Sequence, residues 1–417
     1  MLSDQTIAIV KSTAPVLATH GETLTRHFYQ RMFSHNPEVR PFFNAANQSA
    51  GLQQRALAGA ICAYAANIDN LGALRDAVEL IAQKHASLQI KPEHYPIVGE
   101  NLLASIRDVL GEGATDEVID AWAQAYGFLA DILINREAQI YRDLASVDGG
   151  WEGFKAFEVI KKQRESDVIT SFYLAPKDGA PLPHFKPGQY ITLRLPTPDG
   201  QTTMRNYSLS DMPGQNWFRI SVKREDGKGA KVPGGFVSNH LHKAIEPGAV
   251  VEVAPPCGEF FLDVTKASER PLVLLAAGVG ITPILSILLA TLETTPNRPI
   301  LFVHGCLNER TQAFKETIDQ LAQKYPNLTT HYRYSEHDAG AALQGENSSI
   351  GFIDQDLLDQ LLPSHDGEFY FCGPQPFMVN VYHDLLDWDI PPAQIHFEFF
   401  GPRQALDTKP GATSRAA

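Results

Sequence analysis

Several features that mark whole classes of protein are scarce or missing in this chain. Four cysteines occur in 417 residues (Cys62, Cys257, Cys306 and Cys372). They lie far apart, without the close pairs of a zinc site, and read as reduced thiols in a reducing compartment rather than as a disulfide framework. No apolar run reaches the ~18 residues that a membrane-spanning helix requires. The opening Met1-Leu2-Ser3-Asp4-Gln5 has no basic stretch leading into an apolar core, so a signal peptide is not expected. Positive charge is short, with 35 Lys and Arg against 48 Asp and Glu and a formal net charge of −13, which argues against a nucleic-acid partner. No internal repeat is visible. What remains is ordinary globular composition, 44% hydrophobic and 20% charged, in a chain long enough for several cores. A cytoplasmic monomer without a transmembrane segment is expected.

The pattern changes character twice. Up to about residue 145 apolar positions recur at helical spacing, as in Val78, Ile81, Ala82 and His85, and strand-like alternation is hard to find. A joint rich in glycine follows, Val147-Asp148-Gly149-Gly150-Trp151-Glu152-Gly153. From Phe154 to about Asp263 short β-like runs are broken by Pro and Gly: 157–160, 190–193, 218–222 and 250–253. They predict an antiparallel barrel. From about Arg270 onward continuous apolar strands (272–276, 300–304, 369–372) alternate with helical stretches, as in a parallel sheet covered on both faces. The fold class is therefore multidomain: an all-α unit over 1–147, an antiparallel β-barrel over 153–263 and an α/β parallel-sheet domain over 270–402. Residues 403–417 are expected to form a flexible tail.

The later two thirds carry the more specific motifs. Arg205-Asn206-Tyr207-Ser208 sits among the barrel strands, with Gln189-Tyr190 upstream and Gly234-Gly235-Phe236-Val237-Ser238-Asn239, read as a glycine-rich turn, downstream. An Arg neutralises a pyrophosphate, a Tyr and a Ser meet a flavin ring edge, and glycines let backbone N–H groups approach phosphate oxygens. Ala277-Gly278-Val279-Gly280-Ile281-Thr282-Pro283 then follows a strand and opens a helix, a setting for a dinucleotide pyrophosphate. Pro283 stands where the usual motif has its last glycine. That departure makes the stretch resemble the ferredoxin–NADP⁺-reductase-like family rather than a standard Rossmann dehydrogenase. Cys372-Gly373-Pro374 resembles that family's nicotinamide-side turn. Phe397-Glu398-Phe399-Phe400-Gly401-Pro402 resembles its closing segment, in which Phe400 would cover the flavin with Glu398 as a polar neighbour. The resemblance implies FAD on the barrel and NADH or NADPH on the α/β domain. Glu309 and Arg310, past the second strand of that domain, weigh oppositely on a 2′-phosphate, and NADH is the expected donor.

The helical unit contains Phe28-Tyr29-Gln30-Arg31-Met32-Phe33, His35-Asn36-Pro37-Glu38, Pro41-Phe42-Phe43-Asn44, Gln53-Gln54-Arg55-Ala56-Leu57 and Ile81-Ala82-Gln83-Lys84-His85. The string resembles the globin domain of the flavohaemoglobins. The resemblance implies one haem b with His85 as its proximal metal ligand. By the same resemblance Tyr29 and Gln53 would form the distal polar pair, Phe43 would wedge on the porphyrin, Leu57 would shape the ligand slot and Lys84 would reach a propionate. Tyr95 and Glu137 would hydrogen-bond around His85, pushing electron density towards iron. His20, His27, His35 and His94 are rival ligands without that surrounding pattern. The implied activity is nitric oxide dioxygenation, with NO and O₂ converted to nitrate on electrons passed from NAD(P)H through FAD. A general flavin, ferric or peroxide reductase and an oxygen-binding or gas-sensing globin are the alternatives. The Tyr29–Gln53 pair disfavours simple oxygen carriage.

Overall fold

A serine begins the first helix. The Ser3 hydroxyl accepts the Thr6 N–H at 3.1 Å, and α1 runs from Asp4–His35. The computed structural model describes residues 2–43, 51–227, 234–266, 268–336, 343, 345 and 347–401; the tail expected over 403–417, with Asn44 and Pro402, lies outside them. Four more long helices follow: α2 (Leu52–Ala66), α3 (Arg75–Ser87), α4 (His94–Leu110) and α5 (Asp116–Ser146). Thr115 caps α5 by accepting the Val118 N–H at 3.3 Å. Val10, Leu17, Leu24, Phe28 and Met32 recur at helical spacing along α1 and are buried where it packs on α2, α4 and α5.

The β segment forms a six-stranded antiparallel sheet. Its strands are β1 (Lys155–Arg164), β2 (Ile169–Pro176), β3 (Tyr190–Pro196), β4 (Thr202–Ser208), β5 (Phe218–Lys223) and β6 (Val250–Val253), in the order β4-β3-β6-β1-β2-β5. A bridge between Leu209 and Ile220 brings the two ends together into a barrel. Phe157, Val159, Phe172, Ile191, Leu193, Phe218 and Ile220 fill the interior. The stretch read as a glycine-rich turn is a helix start instead: α6 (Phe236–Ala244) begins there and buries Val237 and Leu241 in the barrel core. Periodicity over so few residues hides a nine-residue helix behind its two leading glycines.

The third unit is a parallel sheet. It contains β7 (Leu272–Ala277), β8 (Ile300–Cys306), β9 (Leu328–Tyr334), β10 (Ser348–Ile350), β11 (Glu368–Cys372) and β12 (Ile395–Glu398), in the order β10-β9-β8-β7-β11-β12. The helices α7 (Ile281–Thr294), α8 (Lys315–Lys324), α9 (Gln355–Leu361) and α10 (Gln375–Asp387) connect them. Strand order runs outward from β7 in one direction and from β11 in the other. The switch point therefore lies between β7 and β11, where parallel sheets open a crevice at their carboxyl ends. The Gly278–Pro283 and Cys372–Pro374 motifs end those two strands and meet there.

The meeting is close. A Cβ on Gly280 would lie 2.0 Å from the Cys372 carbonyl oxygen, and one on Gly373 would lie 2.8 Å from Ala277 Cβ. Only glycine lets the two turns touch. Gly280→Ala is expected to destabilise this domain by roughly 1–3 kcal/mol, the usual cost of forcing a methyl into a packed site. Thermal melting together with titration of NADH binding checks it, and an unchanged melt with parental affinity contradicts this packing.

Candidate haem, flavin and nucleotide sites

The site in the helical unit is built around Glu137. This side chain on α5 is 3% exposed, and its Oε1 accepts the Tyr95 hydroxyl at 2.5 Å and the His85 Nδ1 proton at 2.8 Å. Tyr95, from the first turn of α4, is itself held from behind, because the Tyr126 hydroxyl donates to the Tyr95 carbonyl at 2.6 Å. Burial and the Glu137 carboxylate push the Tyr95 phenol far above its ordinary range, so it remains a donor. Arg136 grips Glu79 through two hydrogen bonds of 2.6 and 2.7 Å, locking α5 to α3 beside this triad. With Nδ1 committed, the His85 ring has Nε2 to offer.

Among the described residues the helical core divides into two clusters near His85. One cluster contains Tyr29, with Phe43, Leu57 and Val98 partly buried against it. A second contains Ala82, Ala86, Tyr95 and Leu133, with Val78 and Ile81 partly buried. Tyr126 and Leu129 border both. A domain of this size ordinarily has one contiguous core. The His85 side chain is 33% exposed although its neighbours Ala82 and Ala86 are fully buried. Partly exposed apolar side chains and an imidazole between two clusters fit a flat apolar group with one axial ligand. Tyr29 packs edge-on against Phe43 at 5.7 Å, and burial pushes its phenol far up. Gln53 and Leu57, both partly buried, come from the first turns of α2.

The rival histidines are occupied elsewhere or lie at the surface. His27 Nδ1 meets Ser105 Oγ at 3.0 Å, His35 Nδ1 meets the Arg31 carbonyl at 2.9 Å, and His94 Nδ1 accepts the Lys91 N–H at 2.9 Å. His20 is exposed on α1.

On the barrel, β3 and β4 pair so that Tyr190 faces Ser208 and Thr192 faces Asn206. Side chains alternate along a strand, so Arg205 and Tyr207 point to one side of the sheet and Asn206 and Ser208 to the other. Tyr207 packs on the barrel core. Arg205 donates to the Met204 carbonyl at 2.6 Å and to Thr203 Oγ1 at 3.1 Å. Gln189 accepts the Lys186 N–H and donates to the Gly258 carbonyl, so it shapes the loop beside Tyr190. Gly235 opens α6 with no side-chain cap, and Ser238 Oγ donates back to the Gly235 carbonyl at 3.1 Å. First-turn N–H groups of this kind, with Arg205 on the barrel, are suited to phosphate oxygens.

In the α/β domain Val279 is partly buried, Ile281, Thr282 and Pro283 are buried, and Thr282 Oγ1 donates to the Val279 carbonyl at 3.0 Å. The Cys372 thiol is fully buried and pushed well above its ordinary range by burial and by Glu398, so only its backbone is available to a ligand. Pro374 leads into α10, and Phe400 is half exposed.

Lys84 lies at a place the sequence does not suggest. Its ammonium sits 5.0 Å from the centre of the Tyr190 ring, and Glu398 is its facing charge. Burial draws the Lys84 pKa down and Glu398 raises it in part. Lys84, Tyr190 and Glu398 thus bring the three domains together. Sequence reasoning also passed over Ser87, which receives the Asn206 Nδ2 proton at 3.2 Å across 119 positions, and Tyr126 behind Tyr95. Neither carries a local signal, because each partner is remote in sequence.

Comparison with known proteins fits this geometry. The globin family profile matches residues 26–133, the oxidoreductase FAD-binding domain 156–262 and the oxidoreductase NAD-binding domain 274–383. A globin that binds haem, joined to an oxidoreductase module for FAD and a nicotinamide nucleotide, defines the class. The chain is 50% identical over 97% of its length to the flavohaemoprotein of Rhodopirellula baltica, covering 99% of that protein. It is 46% identical to that of Halalkalibacterium halodurans over 97% of this chain and 98% of the other. The crystal structure of the flavohaemoglobin of Malassezia yamatoensis with bound FAD and haem superposes with a TM-score of 0.81 at 25% identity, over 96% of this chain and all of that one. The FAD/NAD-binding domain of nitric oxide dioxygenase from Vibrio cholerae aligns with a TM-score of 0.53 at 34% identity, over 60% of this chain and 99% of that one. The chain belongs to the flavohaemoprotein family.

The crevice in the α/β domain also carries a titratable anchor. His304 on β8 is fully buried and its Nε2 donates to the Gly278 carbonyl at 3.0 Å, holding the glycine turn. Burial lowers its pKa to about 4. An exposed histidine in the unfolded chain titrates near ~6.5. The unfolded state therefore binds the extra proton between these values, so the neutral ring's contribution is complete above pH ~6.5 and is lost as pH falls towards about 4. The full span is on the order of 3 kcal/mol. Between pH 7 and 5 the melting temperature of the parent is expected to fall more steeply than that of His304→Gln, and equal slopes would remove His304 as the titrating group.

Proposed function

We propose that this chain is a nitric oxide dioxygenase, consuming NO and O₂ and releasing nitrate, with NADH as the electron donor. The observation that carries this reading is the Glu137–Tyr95–His85 triad. A carboxylate fixed on Nδ1 gives the imidazole partial imidazolate character, and the electron density it sends through Nε2 suits oxygen activation better than oxygen storage. Haem b bound at His85 would supply a redox-active iron, FAD a hydride-to-single-electron converter and NADH the hydride. The protein's own part is to hold and orient. Phe43, Leu57, Val98, Ile81 and Leu129 keep the slot apolar and dry. Tyr29 and Gln53 act on the distal side, where the Tyr29 phenol stays protonated and can donate a hydrogen bond to oxygen. Arg205 with the first N–H groups of α6 takes the flavin pyrophosphate, while Tyr207, on the Arg205 side of β4, and Ser208, on the Tyr190 side, would meet the flavin from different faces of the strand. The turns Gly278–Pro283 and Cys372–Pro374 take the nicotinamide nucleotide, with Phe400 over the flavin. Lys84, expected at a propionate, is better read as a junction residue over Tyr190.

The donor preference rests on Arg310. Its Nε and Nη2 both lie 2.8 Å from Asp167 Oδ2 on the barrel, so the side chain that a 2′-phosphate would need is drawn to another domain. This supports NADH over NADPH.

An NO electrode gives the test. Purified protein loaded with haem and FAD is expected to consume NO only when both NADH and O₂ are present; consumption that ignores O₂, or none at all, overturns the assignment. His85→Ala is expected to lose haem while keeping NADH-dependent dye reduction, and full haem occupancy in that variant removes His85 as the ligand. Tyr29→Phe is expected to speed O₂ release from the reduced protein by roughly ten- to a hundredfold, because a hydrogen bond to a charged group contributes about 1.5–3 kcal/mol. Gln53, as a second donor, places the effect at the low end. Parental O₂ release and NO turnover in Tyr29→Phe contradict the distal assignment.

A further inference from the structure

The contact between the helical unit and the barrel is mostly apolar. Ala82 and Ala86 of α3, both fully buried, share a cluster with Tyr190 and Cys257 of the barrel. Such a contact is non-directional. The exposed ion pair of Lys91 with Glu152 at 2.7 Å ties the α3–α4 loop to the joint, but exposed pairs contribute little. The 3.4 Å approach of the Gly258 N–H to Gln83 Oε1 is long.

One buried directional contact stands out. Ser87, fully buried at the end of α3, donates its hydroxyl proton to the Lys84 carbonyl at 2.8 Å and accepts the Asn206 Nδ2 proton at 3.2 Å. Asn206 in turn accepts from Thr192 Oγ1 at 3.2 Å, so its amide plane is set from both ends. The chain of contacts runs from the last turn of α3, two residues past His85, to the middle of the strand carrying Arg205 and Ser208.

From this geometry we infer that Ser87 and Asn206 are positioning residues. Their hydrogen bond fixes the register of the proximal helix against the flavin-bearing strands and so sets the rate at which electrons cross from flavin to haem. This rests on the reading of the two sites given above. Asn206, grouped by sequence with the flavin contacts, is assigned to the domain junction. The physical reason is that electron tunnelling decays steeply with separation, whereas the apolar contact alone leaves several registers close in energy. Loss of one net hydrogen bond, about 1 kcal/mol, is about fivefold in the balance between registers.

The test is a double-mutant cycle on the protein carrying haem and FAD. The flavin is reduced in advance without O₂, and electron arrival at haem is followed under CO by stopped flow. Ser87→Ala and Asn206→Ala are each expected to slow arrival by up to about fivefold, and the double variant by no more than the slower single variant, because both remove the same bond. Ser87→Ala is expected to leave the reduction of flavin by NADH at the parental rate and to raise proteolysis at the joint 147–153 about fivefold. Parental arrival in either single variant, losses that multiply in the double variant, or a parallel slowing of flavin reduction in Ser87→Ala each overturn the inference. Because arrival is read with CO and without NO, absence of NO consumption in the parent would fall on the functional reading and not on this one.

Discussion

The helical unit depends on one oxygen atom. Glu137 Oε1 accepts from both His85 and Tyr95, and that double acceptance fixes which nitrogen of His85 carries its proton and which way the ring faces. A carboxylate buried to 3% exposure is costly to leave without partners, so the charge enforces its own surroundings. Tyr95 is brought in from α4, Tyr126 is placed behind it, and Arg136 on the next residue of α5 is turned to Glu79 of α3. Three helices are registered by a group whose free orientation would otherwise cost the site its ligand geometry.

A different constraint shapes the α/β domain. Its crevice exists because strand order reverses between β7 and β11, and the turns ending those strands must almost touch. Glycine at 280 and at 373 follows from that closeness, as does a buried histidine that binds the Gly278 carbonyl. The departure from the usual dinucleotide fingerprint has the same origin. Pro283 lies on α7 in a fully packed interior where a third glycine is not needed to bring helix and strand together.

What could be read in the sequence follows what is local. Apolar runs such as 272–276 and 300–304 announce buried parallel strands, and the 3–4 spacing around His85 announces its helix. Motif order over the reductase half carried its architecture. The α6 helix escaped because it is short and starts at glycines, and the strand alternation that divides Asn206 from Arg205 appears only when β3 and β4 are paired. Lys84 shows the limit most clearly. On its own helix it is a basic residue next to a histidine; its position over Tyr190, more than a hundred positions away, belongs to the docking of one domain on another. Local pattern has no access to such a contact, and Ser87 with Asn206 is of the same kind.

The docking also divides the thirteen-residue α3 into two faces. Residues advance by about 100° per position, so within one turn His85 and Ser87 point to nearly opposite sides of the helix. On the side of Val78, Ile81 and His85 lies the proposed haem site; on the side of Gln83, Ala86 and Ser87 lies the barrel, through Gly258, Tyr190 and Asn206. Small residues at 82 and 86, both fully buried, let the barrel pack directly on the helix. Lys84, whose pKa burial draws down, feels the opposing charge of Glu398 from the third domain beside the same contact. A single thirteen-residue helix thus carries the imidazole proposed as the haem ligand, the docking face and the buried ammonium on which Glu398 of the nucleotide domain acts.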